Sequence, residues 1–253
     1  MDIKNNTILI TGGASGIGLQ FTKKFYANNN KIIICGRNTE KLKSIEAAFP
    51  EVITKVCDIS SSEERLDLYH WVIENYPDIN VLVNNAGIQN RFNILKSDAA
   101  VDWENLNEEI KSNFEATVQL SILFSQYFAD KKAHSNIINV SSGLAFAPMA
   151  IAPIYSATKA AVHSFTISLR HQLSETNTNV FEVIPPAVNT DLGGKGIHTF
   201  GANPVDFINE IFEGLVQEQV EIGYGSAKER LEMSKEALDE YTAEMYNALK
   251  NTI

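Results

Sequence analysis

The chain has 253 residues, 44% hydrophobic and 21% charged, a balance that excludes general disorder and allows one large or two small folded units. Lys and Arg number 21 against 31 Asp and Glu, a formal charge of −10, which argues against nucleic acid and anionic membrane surfaces as partners. There is no long apolar run, no signal-peptide pattern at residues 1–6, and the cysteines are two, Cys35 and Cys57. The expectation is a cytoplasmic protein without a membrane span, a disulfide framework or a metal quartet.

Apolar runs of strand length alternate with stretches of helical period. A strand at Thr7–Thr11 precedes a helix at 16–28, Lys31–Cys35 precedes 38–48, Val52–Val56 precedes 61–76, and Val81–Val83 precedes 103–129. Asn136–Val140 precedes 155–175, Val180–Ile184 leads to 204–218, and a weaker strand, Val220–Ile222, ends the series. Most of these strands are continuously apolar, as strands buried on both faces of a parallel sheet must be. The alternation predicts an α/β, Rossmann-type doubly wound sheet of seven parallel strands in a single domain. Ser60-x-x-Glu63 and Ser61-x-x-Glu64 both read as capping boxes for the third helix.

Two segments stand apart. Residues 191–203 carry four glycines in thirteen positions and no period, which predicts a mobile substrate lid within the domain at 1–225. Residues 226–253 form a C-terminal extension in which Leu231, Leu238, Tyr241, Met245 and Leu249 recur at helical spacing amid charges of both signs. That pattern predicts an amphipathic helix packed on the body or on a second subunit.

The first strand runs into Thr11-Gly12-Gly13-Ala14-Ser15-Gly16-Ile17-Gly18. Glycines there permit a tight turn and let backbone N–H groups approach a pyrophosphate, while the following helix adds partial positive charge at its N-terminus. Glycine turns are common, and the strand before and helix after supply the context that dinucleotide binding requires.

The spacing Gly12-x-x-x-Gly16-x-Gly18 resembles that of the short-chain dehydrogenase/reductase family. Asn84-Asn85-Ala86-Gly87 after the fourth strand, Ile138-Asn139-Val140-Ser141-Ser142 closing the fifth, and Tyr155-Ser156-Ala157-Thr158-Lys159 opening the next helix extend the match over about residues 5–225. The resemblance implies an oxidoreductase acting on CH–OH groups with NAD(P). It implies cofactor contacts from Gly12, Ser15, Gly16, Ile17, Gly18, Asp58, Asn85, Ala86, Gly87, Tyr155, Lys159, Val188 and Thr190. Asp58 would meet the adenine amino group, or serve only the turn into the Ser60/Ser61 cap.

The second strand ends in Ile34-Cys35-Gly36-Arg37-Asn38. An acid here accepts both ribose hydroxyls and selects NAD, whereas an arginine pairs with a 2′-phosphate. Gly36 stands where NAD-preferring relatives carry Asp, and Arg37, with Lys41 one turn on, favours NADP(H) over NAD(H); the alternative is that Arg37 is a solvated turn residue.

Tyr155 and Lys159 are four apart in a predicted helix and so share a face. A free tyrosine titrates near about 10, and a neighbouring ammonium favours the phenolate, making an acid–base group for an alkoxide. Ser142 stands at the C-terminal end of a buried strand, where a hydroxyl can donate to a substrate carbonyl oxygen. The Ser142–Tyr155 separation matches the family pattern and favours Ser142 over Ser141, which would satisfy local backbone groups. Asn113 resembles the family asparagine that holds a water between lysine and solvent. The catalytic set so expected is Asn113, Ser142, Tyr155 and Lys159.

One departure stands out: where the family has Pro-Gly after the sixth strand, this chain has Pro185-Pro186, losing an N–H donor and fixing φ. The five histidines, His70, His134, His163, His171 and His198, show no metal-ligand spacing, and no metal is expected. The apolar run after Ser142, from Ala145 to Ala152, suggests a pocket wall for an apolar or amphipathic substrate, or simple packing. The substrate expected is a small carbonyl compound or alcohol. An isomerase on the same scaffold and a non-catalytic nucleotide sensor are the alternatives. The Cys-Gly-Arg turn, the Pro-Pro pair and the C-terminal helix are similar to a bacterial subgroup named for a link with teichoic acid D-alanylation. Helices 103–129 and 155–175 resemble those that form subunit contacts in the family, which implies a homodimer or homotetramer.

Overall fold

The strand Thr7–Thr11 (β1) is buried along its whole length, and its side chains divide between two cores. Ile8 and Ile10, with Ile32 and Ile34 of β2 (Lys31–Gly36), face a cluster containing Phe21, Phe25, Phe207 and Phe212. Leu9, Ile33 and Cys35 face the opposite cluster, with Leu68, Val72, Leu120 and Phe124. A strand covered on both faces needs apolar residues at every position, which explains the unbroken apolar runs.

The computed structural model describes residues 1–96 and 99–250. β3 (Ile53–Val56), β4 (Val81–Asn84), β5 (Ser135–Val140), β6 (Thr178–Ile184) and β7 (Glu221–Gly223) complete one sheet of order β3-β2-β1-β4-β5-β6-β7, and every pairing is parallel. The helices are α1 (Gly16–Tyr26), α2 (Thr39–Ala48), α3 (Ser62–Asn75), α4 (Ala99–Ile110), α5 (Ala116–Lys131), α6 (Pro153–Gln172), α7 (Pro204–Val216), α8 (Ser226–Glu232) and α9 (Lys235–Leu249). The winding reverses at β1, which pairs with β2 on one side and β4 on the other, opening a crevice at the strands' C-terminal ends.

Three expected elements differ. The helix read at 103–129 is two helices joined by a π-helical turn at Lys111–Glu115, which carries Asn113; such wide turns redirect side chains and concentrate at functional sites. The single helix expected over 226–250 breaks at Met233, whose backbone is extended, and Ser234 caps α9 by accepting from Ala237 N at 3.3 Å. Of the two capping boxes, Ser61 caps α3 through Glu64 N at 3.2 Å, whereas Ser60 Oγ donates to Asp58 Oδ1 at 2.8 Å. Among the described residues, no helix is long and apolar enough to cross a membrane.

Candidate active site

The turn after β1 is built for close backbone approach. Gly12 has φ +67°, and a Cβ there would lie 3.0 Å from Ala86 Cα; a Cβ on Gly18 would lie 2.3 Å from Gly12 O. Glycine is therefore required sterically at both positions. Thr11 fastens this turn to the next motif. Its hydroxyl accepts from Asn85 N at 2.9 Å and Ala86 N at 3.0 Å, and Asn85 Nδ2 donates to Thr11 O at 2.9 Å. The N-terminus of α1 faces a cavity of about 1380 Å³ at the C-terminal edge of the sheet.

Of the residues singled out in the sequence, Gly12, Ser15, Gly16, Ile17, Arg37, Asn85, Ala86, Gly87, Ser142, Tyr155, Lys159, Val188 and Thr190 all line that cavity. Gly18 supports the turn from behind. Asn113 is buried and braces the wall: its Oδ1 accepts from Ile88 N at 2.8 Å, and its Nδ2 donates to Ile88 O at 2.9 Å and Thr158 Oγ1 at 3.2 Å. Pro186 leaves the wall intact, since Gly143 N donates to Pro185 O at 2.9 Å and Val188 bridges to Ala202.

Tyr155 and Lys159 lie on one face of α6, with Lys159 Nζ 5.6 Å from the centre of the tyrosine ring. Ser142, at the end of β5, and Tyr155, at the start of α6, line the same cavity, and the π-helical turn joins them through Asn113 and Thr158. The electrostatics differ from the expectation of a phenolate favoured by Lys159. Burial pushes the Tyr155 phenol up, Ser142 opposes this, and the charge of Glu109 reinforces it. Burial also draws Lys159 down to about 8, against the pull of Glu182 and Glu109. Its ammonium donates to Val140 O at 2.8 Å. Desolvation is the leading cause of both shifts.

Arg37 is half exposed and forms ion pairs with Glu108, through a short hydrogen bond, and with Asp58 at 3.7 Å. Burial works against the Asp58 carboxylate, but the Ser60 backbone and hydroxyl, with Arg37, outweigh it and hold Asp58 below the usual carboxylate range. Asp58 thus serves both the turn before α3 and the Arg37 pair.

A family model described as short chain dehydrogenase matches residues 6–198. The chain is also 40% identical over 242 residues to the oxidoreductase DltE of Bacillus subtilis, covering 94% of this chain and 93% of that one. The chain belongs to the short-chain dehydrogenase family. It is an oxidoreductase of that family, and its fold agrees: a short-chain dehydrogenase from Burkholderia cenocepacia, solved in complex with NADP, superposes with TM-score 0.82 at 23% identity, over 96% of this chain and 99% of that one. A family member from Burkholderia phymatum, solved in complex with NAD, has TM-score 0.78 at 19% identity, over 88% and 90%.

Several residues of this short-chain dehydrogenase site escaped the sequence reading. Ser141 does not serve local backbone groups; its Oγ donates to the buried carboxylate of Glu182 at 2.5 Å, and His163 Nδ1 lies 2.9 Å from the same group. Tertiary contact brings ligand atoms of His163, Glu182 and Glu221 within 4.8 Å of one another, but Arg170 pairs with Glu221 at 3.6 Å, so the cluster is already charge-compensated. Glu109 is fully buried, and burial raises its carboxyl to about 7 despite hydrogen bonds from Asn90. The only sequence signal for Glu109 was its position four residues before Asn113. The apolar run after Ser142 is mainly core: Ala147, Ile151 and Ala152 are fully buried, and of that stretch Met149 reaches the cavity, beside Leu144.

Proposed function

We propose that this oxidoreductase moves hydride between NADP(H) and a carbonyl compound or secondary alcohol, with Tyr155 as the proton donor and acceptor. The observation that carries the reading is the meeting of Ser142, Tyr155 and Lys159 on the wall of the cavity that the Gly12–Gly18 turn opens into. The nicotinamide, when bound, supplies or accepts the hydride. Ser142 donates to the carbonyl oxygen, and the protonated Tyr155 phenol gives its proton to that oxygen as charge develops. Lys159 holds positive charge beside both, and Asn113 fixes the Ile88 backbone and Thr158 behind them. In sum, NADPH, a proton and a ketone give NADP⁺ and an alcohol. The solved relatives named above bind NADP in one case and NAD in the other. The choice of NADP(H) rests on Gly36, where no acid competes for a 2′-phosphate, and on Arg37 and Lys41 along the same wall.

Two variants test this. Tyr155→Phe should lower turnover of ketones at least a hundredfold while NADPH binding, read by fluorescence titration, stays within a few fold; wild-type rates in that variant would refute the mechanism. Gly36→Asp with Arg37→Leu should turn the preference toward NADH. A Cβ at Gly36 meets nothing within 4 Å, so the new side chain is accommodated and unchanged NADPH preference would count against the assignment. We also propose a closing role for the segment 191–203 and a homo-oligomer built on α5.

A further inference from the structure

Among the described residues, four buried side-chain atoms lack a hydrogen-bond partner: Asn84 Oδ1, Gln89 Oε1, His198 Nδ1 and Arg230 Nε. The last three belong to residues more than nine-tenths buried that line the active-site cavity, and they arrive there from three separate parts of the chain. Leaving a buried polar group unpaired is costly, because its water is lost and nothing replaces it. Three converging on one cavity are explained if a polar ligand completes them.

Arg230 is the decisive member. A buried guanidinium is normally matched by a carboxylate, yet Arg230 forms no ion pair among the described residues. Its Nη2 donates to Tyr241 Oη at 2.6 Å, and the guanidinium stacks 4.5 Å from the Tyr241 ring. It presses against Gly143, the residue after Ser142: a Cβ there would lie 2.4 Å from Arg230 Nη1, so the missing side chain is what admits the cation. The acids on the cavity wall, Asp191 and Glu244, are exposed, while Arg91 adds a further positive charge. Burial and Arg91 also hold His198 below its ordinary titration range, leaving it neutral at pH 7.

We infer that the substrate is a carboxylate-bearing carbonyl compound, or the matching hydroxy acid, whose carboxylate pairs with Arg230 while its carbonyl faces Ser142 and Tyr155. The inference rests on the hydride-transfer reading above and adds its substrate class. Arginine suits a planar carboxylate because its N–H groups form a matching fork. Gln89 and His198 then meet further polar groups of the same molecule.

The test compares NADPH-dependent reduction of acetoacetate, levulinate and phenylglyoxylate with that of their methyl esters, in the wild type, Arg230→Gln, Arg230→Lys and Tyr241→Phe. Binding of the three acids to the NADP⁺ complex is measured separately by titration calorimetry, and thermal melting verifies that each variant folds. We expect at least one acid to exceed its ester at least tenfold in kcat/KM. That ratio should collapse toward one in Arg230→Gln, chiefly through KM, and be partly kept in Arg230→Lys. Tyr241→Phe, which removes only the tyrosine hydroxyl, should keep the preference for acids. Acid affinity by calorimetry should fall at least tenfold in Arg230→Gln. Esters reduced as well as acids by the wild type, or an acid preference that survives Arg230→Gln, would overturn the inference while leaving the hydride-transfer reading intact. Acids that bind in an Arg230-dependent way without being reduced would support the anion site and count against hydride transfer to this class. Acids that neither bind nor react would overturn the inference.

Discussion

Glu109 shows how one side chain can carry a cost inside a working site. Burial pushes its carboxyl up to about 7, well above the usual carboxylate range. A carboxyl whose folded pKa is raised favours folding in its protonated form, so its presence destabilises the protein progressively as pH rises from about 4.5 to about 7. The full loss corresponds to about 3 kcal/mol. Glu109→Gln should therefore gain stability relative to the wild type over that interval, read by urea unfolding at successive pH values; a stability difference independent of pH would disprove the assignment. Glu109 could not be picked out from the sequence, because an acid in a helical stretch is ordinarily solvated. Tyr155, Lys159 and Ser142 could, through the family resemblance that their types and spacing carry, but the direction of the Tyr155 shift depends on burial that only the packed structure shows.

At the scale of elements, the strands and most helices agree with the apolar runs and helical periods in the sequence, with ends displaced by up to three residues. The exceptions have local causes: the π-helical turn at Lys111–Glu115 is only five residues, too short to read as a period of its own, and the break before α9 depends on Ser234 winning as a cap. α9 contains no buried residue, yet Tyr241, Met245 and Leu249 close one side of the cavity, and Met245 and Leu249 pack on the small cluster around Met149 and Tyr155. Deleting residues 234–253 should thus cost only about 1–3 kcal/mol of stability, from partial apolar exposure. It should raise KM for the carbonyl substrate at least tenfold with NADPH affinity little changed. Equal losses in both would show that α9 supports the whole nucleotide site.

For the whole molecule, Val118, Ile122 and Leu123 of α5 form a surface with Phe114 of the preceding π-helical turn, beside Arg65 and Glu115, and Ile122 is 44% exposed. Apolar side chains gathered on an exposed helix face suit contact with a second copy. Ile122→Asp should break the proposed homo-oligomer into monomers by light scattering, with the melting temperature of the monomer close to that expected from its intact cores. An unchanged mass would place the contact elsewhere. Against the net charge of −10, Arg37, Lys159 and Arg230 place positive charge locally at the cavity.

By itself, the sequence determined the parallel sheet and the glycine turn, because these depend on local period and on backbone conformations glycine permits, and it pointed to Ser142, Tyr155 and Lys159 through a family resemblance. Only the tertiary structure decided which charges face the cavity. Arg37 is engaged by Glu108, Ser141 by Glu182, and Arg230, more than 80 residues beyond Ser142 in the chain, meets no carboxylate among the described residues. Whether a polar group is satisfied is a property of the space around it, and chain folding assembles that space from segments that carry no mark of one another.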